Sequence, residues 1–467
     1  MVLNSLPFAF LFLIFLAVLL ILPKKIRKIW LLLGNLAFAF TWERWGPILL
    51  LLSALMAWGC GLALEKSGRK RLFLILPVLW NVLLLAVFRY TGLLSPLFSL
   101  AGMLRFLDLA APVGLSFYTL RCIAYSADIF RGNLPAKHDP ADVLIYVSFF
   151  PQLISGPIER PGNFFRELAA FTKMPLRDFD PIIQGFLLFV WGLFQKIVLA
   201  ERLSMITDFV FPRFETFGFW EILAGSLAYT LQIYCDFAGY SDMSRGIAAM
   251  MGFRTMRNFR QPYLAAGIKS FWRRWHIGLT SWLTDYIYIP LGGSRKGLLR
   301  KYLNIILVFL LSGLWHGTTL NFIFWGMLHA AYQIAEDLWD RTGLKLPGSV
   351  RRIITLAEVN FAWIFFNSGG LNRGFRIIRQ MFSRFTLPVW NCQLGLSAGN
   401  WAVLLGGLAI LLTVDILHEK RIALQKRAAA LPLPLRWLLF LGLFWSVIML
   451  GIYGVGYDTS GFIYARF

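Results

Sequence analysis

The chain has 467 residues, of which 58% are hydrophobic and only 15% charged, with a formal net charge of +22. Soluble domains carry about 25% charged residues, so the composition excludes an ordinary soluble protein and implies an all-α integral membrane protein that crosses the bilayer many times. A span takes roughly 20 apolar residues, which leaves room for about nine to twelve spans plus re-entrant pieces. The cations fall between apolar runs, which argues against nucleic acid as a partner and for the excess of basic residues found in cytoplasmic loops. They also suit attraction to an anionic donor, such as a coenzyme phosphate or an acidic carrier protein. The four cysteines (Cys60, Cys122, Cys235, Cys392) show neither metal spacing nor a disulfide framework.

In chain order, Leu6 to Leu22 reads as the first span. It lacks a basic leader and a small-residue cleavage site, so it is expected to be retained. Shorter or longer apolar runs follow at about 29–41, 46–64 and 72–89, separated by the basic clusters 24–28 and 65–71. Those alternate loops, set against the cation-poor 41–45 and 91–108, predict an external N-terminus. Residues 112–130 form a fifth apolar segment. Residues 141–157 are apolar but carry Pro151, Gly156 and Pro157, and read as a bent or re-entrant helix. Spans are expected at 181–199, 218–234, 302–318, 320–335, 352–366, 401–417 and 435–454. The basic cluster 418–427 is expected in the cytoplasm, which places the tail from Gly456 outside. Residues 243–284 lack Asp and Glu and interleave arginines with aromatics, as an amphipathic or re-entrant cytoplasmic element does. On one helix, Trp272, Arg273 and His276 would share a face.

The chemistry concentrates between Tyr234 and Tyr332. His316 lies in an apolar run, and an ionisable residue at membrane depth is costly and therefore a functional candidate. Trp315 and Gly317 flank it, and Asn321 adds polar company. A neutral imidazole there either bonds to a neighbouring helix or acts as general base on a hydroxyl. His276, beside Arg273 and Arg274, is expected to be neutral because those charges disfavour its protonation. It either orients a donor, polarises a carbonyl or is an interfacial histidine held by hydrogen bonds. Asp236 and Asp242, around Gly239 and Tyr240, either pair with nearby arginines or line a polar tunnel. His329 reads as structural, and His138 and His418 as solvated. The C-terminal Tyr464 is either an interfacial anchor or, once deprotonated, a nucleophile that accepts an acyl group. No phosphate loop, nucleophile elbow or zinc-protease motif occurs.

The stretches Pro112–Leu120, Ser148–Pro161, Gly192–Leu203 and nearly all of 231–332 carry a resemblance. Its most specific parts are Phe271-Trp-Arg-Arg-Trp-His276, Asp285-Tyr-Ile-Tyr-Ile-Pro-Leu-Gly-Gly293 and Leu314-Trp-His-Gly317. There the chain resembles the membrane-bound O-acyltransferase family, in the bacterial branch of alginate and peptidoglycan O-acetyltransferases and teichoic acid D-alanyl transfer proteins. The resemblance implies a ring of helices around a central tunnel, with N-terminal spans to 110, a catalytic core over 111–335 and C-terminal spans beyond. It implies His316 as catalytic histidine, His276 as the second active-site histidine and Tyr464 as a relay for the acyl group. It implies no bound metal and an acyl thioester as donor, either acyl-CoA (acetyl-CoA) or an acidic acyl-carrier protein. Arg273, Arg274, Trp275, Asp236, Tyr240, Trp315 and Asn321 are the candidate substrate-binding set. The expected place is the bacterial inner membrane among its lipids, with a polysaccharide acceptor and a periplasmic or extracellular acyltransferase partner. D-alanyl transfer to teichoic acid shares this chemistry. A glycan or lipid transporter without chemistry is the reading from another class.

Overall fold

A computed structural model describes residues 2–43, 45–90, 111–173, 179–385 and 394–453. Among them every regular element is helical. Among the described residues six helices are long and apolar enough to cross a membrane: Gly46–Lys66, Lys70–Arg89, the run Asp180–Thr216, Leu298–His316, Ala398–Glu419 and Leu433–Leu450. The chain is thus a multi-pass membrane protein. Other segments that read as spans form helices that are shorter or more polar, among them Leu6–Ile21, Lys24–Phe40, Leu115–Phe130 and Leu320–Arg341. An amphipathic helix at Leu371–Ser383, which the apolar runs do not announce, lies in the chain between Gly348–Asn367 and Ala398–Glu419.

The chain divides into two compact units, Met1–Phe189 with Ser244–Met256, and Val190–Met243 with Arg257–Phe467. In the first, the interrupted segment breaks where its prolines predict. The helix Pro140–Ser148 ends, and a single 3-10 turn follows at Phe150–Gln152. Broken backbone must find partners within the protein when no water is near. Here buried Arg121 donates to the carbonyls of Tyr146 (3.0 Å) and Gln152 (3.2 Å), and Asn35 Oδ1 accepts the N–H of Phe150 at 3.1 Å.

In the second unit, two corrections to the sequence reading bear on the site. The apolar segment at 218–234 is part of a helix that continues to Met250, so Asp236, Tyr240 and Asp242 lie on it. The helix Ile268–Trp272 stops before His276, so Trp272, Arg273 and His276 do not share a helix face. His276 instead occupies the position just before the next helix, Ile277–Leu283, with φ 42° and ψ 52°. A left-handed backbone on a residue other than glycine is uncommon and marks a position worth reading for function.

The helices Asp180–Leu193 and Phe219–Met250 touch through glycines. A Cβ on Gly192 would lie 2.5 Å from the carbonyl oxygen of Gly239, and one on Gly185 would lie 2.6 Å from that of Gly246. Small residues allow such close approach where lipid supplies no hydrophobic driving force. Gly192→Ala is therefore expected to lower the stability of the solubilised protein by about 1–3 kcal/mol, the usual range for overpacking. Gly59→Ala, where a Cβ meets nothing within 4 Å, is expected to be neutral. Equal melting temperatures for the two variants would contradict this contact.

Candidate functional site

The candidate catalytic and substrate-binding residues that the structure describes fall in the second unit. His316 ends the helix Leu298–His316, with Gly317 following in extended backbone. It is 3% exposed. Its imidazole packs edge-on against Trp315 (4.9 Å between centroids), Trp325 (5.1 Å) and Phe366 (5.3 Å). His276, 1% exposed, meets the same Trp315 indole at 5.9 Å and Phe237 at 4.7 Å. Two histidines 40 residues apart in the chain therefore share one aromatic wall. His329 is also fully buried, and Trp272 Nε1–H donates to its Nδ1 at 3.3 Å. It extends the aromatic cluster through Trp325 (5.0 Å).

His276 is neutral, as expected, but for another reason. Burial pushes its pKa down to about 3. The arginines named for that role point elsewhere. Arg274 forms a two-point salt bridge with Glu419 at 2.8 and 3.0 Å, and Arg273 is exposed. Folded His276 binds a proton only near pH 3, whereas an unfolded imidazole does so near 6.5. This contribution to stability is whole above about pH 6.5 and is lost as the pH falls toward 3. The drop in melting temperature between about pH 7 and pH 5 is accordingly expected to be smaller in His276→Gln than in the native protein. Equal drops would contradict a buried neutral imidazole.

The remaining candidates divide by position. Trp315 is buried in the wall just described. Trp275 is buried among Phe259 (5.0 Å), Phe271 (5.4 Å) and Trp363 (5.2 Å). Asn321 is buried, and its amide donates to the Phe365 carbonyl at 3.1 Å. Tyr240 is buried on the long helix. Asp236 is buried too and pairs with a lysine: Lys196 Nζ lies 2.7 Å from Asp236 Oδ1 and 2.7 Å from Glu201 Oε1. Lys196 sits in a π-helical stretch, Phe194–Ala200, a form that marks functional helices more often than ordinary ones. His138 is exposed, but His418 is half-buried on the last turn of Ala398–Glu419 and not in a free loop. Tyr464 and Cys392 lie outside the described residues.

Two residues of this site escaped the sequence reading. Lys196 interrupts an apolar run, which is the signal that singled out His316. Asn258 has no such signal; it lies in an irregular loop and reaches His276 only through the fold, with Oδ1 3.1 Å from Nδ1.

A cavity of about 390 Å³ lies against these elements. Its charged lining is mixed: Lys269, Arg273 and Lys301 supply cations and Glu336, Asp337 and Asp340 acids, with Lys301 paired to Asp337. Asp337, hydrogen-bonded to Lys301, Arg341 and Tyr302, has its pKa held down to about 2 because these partners outweigh the opposing effect of burial. The walls are apolar at Ile305, Val308 and Phe309. They end at Trp272, the partner of His329, and at Ser312, one helical turn before His316. The lining thus combines charged and apolar side chains with Ser312, one helical turn before His316, and Leu279, three residues after His276.

Similarity to known proteins runs through the same residues. The model of MBOAT, the membrane-bound O-acyltransferase family, matches residues 72–374. The chain is 35% identical to "Probable alginate O-acetylase AlgI" of Pseudomonas aeruginosa over 397 residues, covering 82% of this chain and 75% of that protein. It is 34% identical to a peptidoglycan O-acetyltransferase of Helicobacter pylori over 387 residues, 76% of this chain and 73% of that protein. A teichoic acid D-alanyltransferase of Bacillus subtilis is 25% identical over 270 residues, 56% of this chain and 68% of that protein. With its helical spans, its buried histidine pair and this extent of similarity, the chain belongs to the membrane-bound O-acyltransferase family and is an O-acyltransferase.

Proposed function

We propose that this enzyme moves an acyl group, acetyl first among the candidates, from a cytoplasmic thioester to a hydroxyl destined for a cell-envelope or secreted polysaccharide, from a seat in the bacterial inner membrane. The observation that carries the reading is the pair His316 and His276 on one Trp315 indole, together with a cavity whose lining includes Ser312, one turn before His316, and Leu279, three residues after His276. His316 acts as general base. It takes the proton of the attacking hydroxyl, the oxygen bonds to the thioester carbonyl carbon, the C–S bond breaks, and the proton passes to the departing thiolate. No further energy source is needed, because the thioester is already activated. His276 orients the reactants or polarises the carbonyl. The apolar walls at Ile305, Val308 and Phe309 suit the thin acyl-bearing arm of coenzyme A or an acyl-carrier protein. Arg273 in the cavity lining suits the phosphate of either. Tyr464 is the candidate relay that passes the group to an external acyltransferase partner. The higher identity to the O-acetylating relatives, over more of the chain, favours acetyl over D-alanyl transfer.

Membranes holding the protein, incubated with radiolabelled acetyl-CoA, are expected to release free coenzyme A and to gain label that mild base removes. Unchanged thioester in the presence of acceptor would favour a transporter or a carrier-protein donor, and repetition with an acyl-carrier protein distinguishes these two.

A further inference from the structure

Asn258 holds three consecutive residues of the turn that carries His276. Its backbone carbonyl accepts the N–H of Ile277 at 2.9 Å. Its Oδ1 accepts the N–H of Gly278 at 3.1 Å and lies 3.1 Å from Nδ1 of His276. The bond from Gly278 identifies that side-chain atom as the oxygen, because an amide nitrogen cannot accept a backbone N–H. An oxygen acceptor facing Nδ1 at 3.1 Å requires Nδ1 to carry the proton; otherwise two lone pairs would oppose each other. The competing contact, from Leu279 N–H to Nδ1, is 3.4 Å long and outside the usual range for such bonds. Both side chains are 1% exposed, so no solvent rearranges the pair.

We propose that Asn258 is a positioning residue that fixes His276 as the Nδ1–H tautomer, so that Nε2 faces the reactants as a hydrogen-bond acceptor that orients them and not as a donor to the thioester carbonyl, while the hydroxyl proton goes to His316. The inference rests on the transferase reading for the role of Nε2, but the tautomer stands independently of it. It divides the labour between the histidines: a neutral Nδ1–H imidazole has no second proton with which to polarise a carbonyl. The left-handed backbone at His276 places the ring against Asn258, and the clamp on residues 276–278 keeps it there.

The test is the ¹⁵N spectrum of the full-length solubilised protein with ¹⁵N-histidine, assigned by comparison with His276→Gln. In the native protein His276 is expected to show a protonated Nδ1 and a bare Nε2. In Asn258→Leu the acceptor oxygen is gone while the Leu279 N–H still faces Nδ1, so the proton is expected to move to Nε2, and turnover to fall by about 10²- to 10⁴-fold with KM little changed, as for a histidine in the wrong tautomer. Asn258→Asp, which keeps an acceptor oxygen, is expected to keep the native tautomer and most of the turnover that Asn258→Leu loses. A native Nε2–H tautomer overturns the proposal whether or not any variant folds. A flipped tautomer with native turnover also overturns it, and leaves the transferase reading to the thioester assay above.

Discussion

His316→Ala is expected to lower acyl transfer by about 10²- to 10⁴-fold, the contribution of a positioned general base. Most of the loss should appear in kcat, because the cavity and its apolar walls, which would hold the donor, are untouched. The variant also removes a ring from contact with Trp315, Trp325 and Phe366, so activity must be compared at matched levels of folded protein. The measurement is release of coenzyme A from acetyl-CoA by purified native and variant protein, with the melting temperature of each as the check on folding. A folded variant with native turnover would make His316 a packing residue and remove it from the chemistry.

The second large effect concerns stability. Lys196→Met removes the ammonium that Asp236 and Glu201 share at 2.7 Å each, in a place where the lysine and aspartate side chains are only 4% and 2% exposed. The methionine fills similar volume, so the change isolates charge. Breaking one partner out of a buried ion pair costs about 3–5 kcal/mol, because the remaining charge keeps its desolvation penalty. Here two carboxylates lose their common cation, so the upper part of that range is expected. Adding Asp236→Asn to Lys196→Met should recover part of the loss, since contacting residues do not add independently. Thermal unfolding in detergent reads both. A Lys196→Met protein that melts with the native one would show that the cluster contributes nothing to the folded state.

The long apolar runs announced the membrane class, most helix positions and the break near Pro151, because hydropathy and proline act locally. His316 stood out for the same reason, as an ionisable group in an apolar run. The helix spacing that placed Trp272, Arg273 and His276 on one face failed because the left-handed backbone at His276 starts a new helix there. Nothing in the order of residues shows that Lys196 bridges Asp236 and Glu201, or that Arg274 spends its charge on Glu419, 145 positions away. Those pairings depend on which helices touch.

What the sequence by itself determined is therefore the class of protein and the family, and it singled out the two histidines as candidates, since each is written in composition or in contiguous motifs. What only the tertiary structure decided is their common indole wall, the partner of each buried charge, the cause of the neutrality of His276 and the hold of Asn258 upon it. These belong to side chains from separate segments that meet only when the chain is folded, and the cost of burying a polar group acts on that meeting and not on either segment alone.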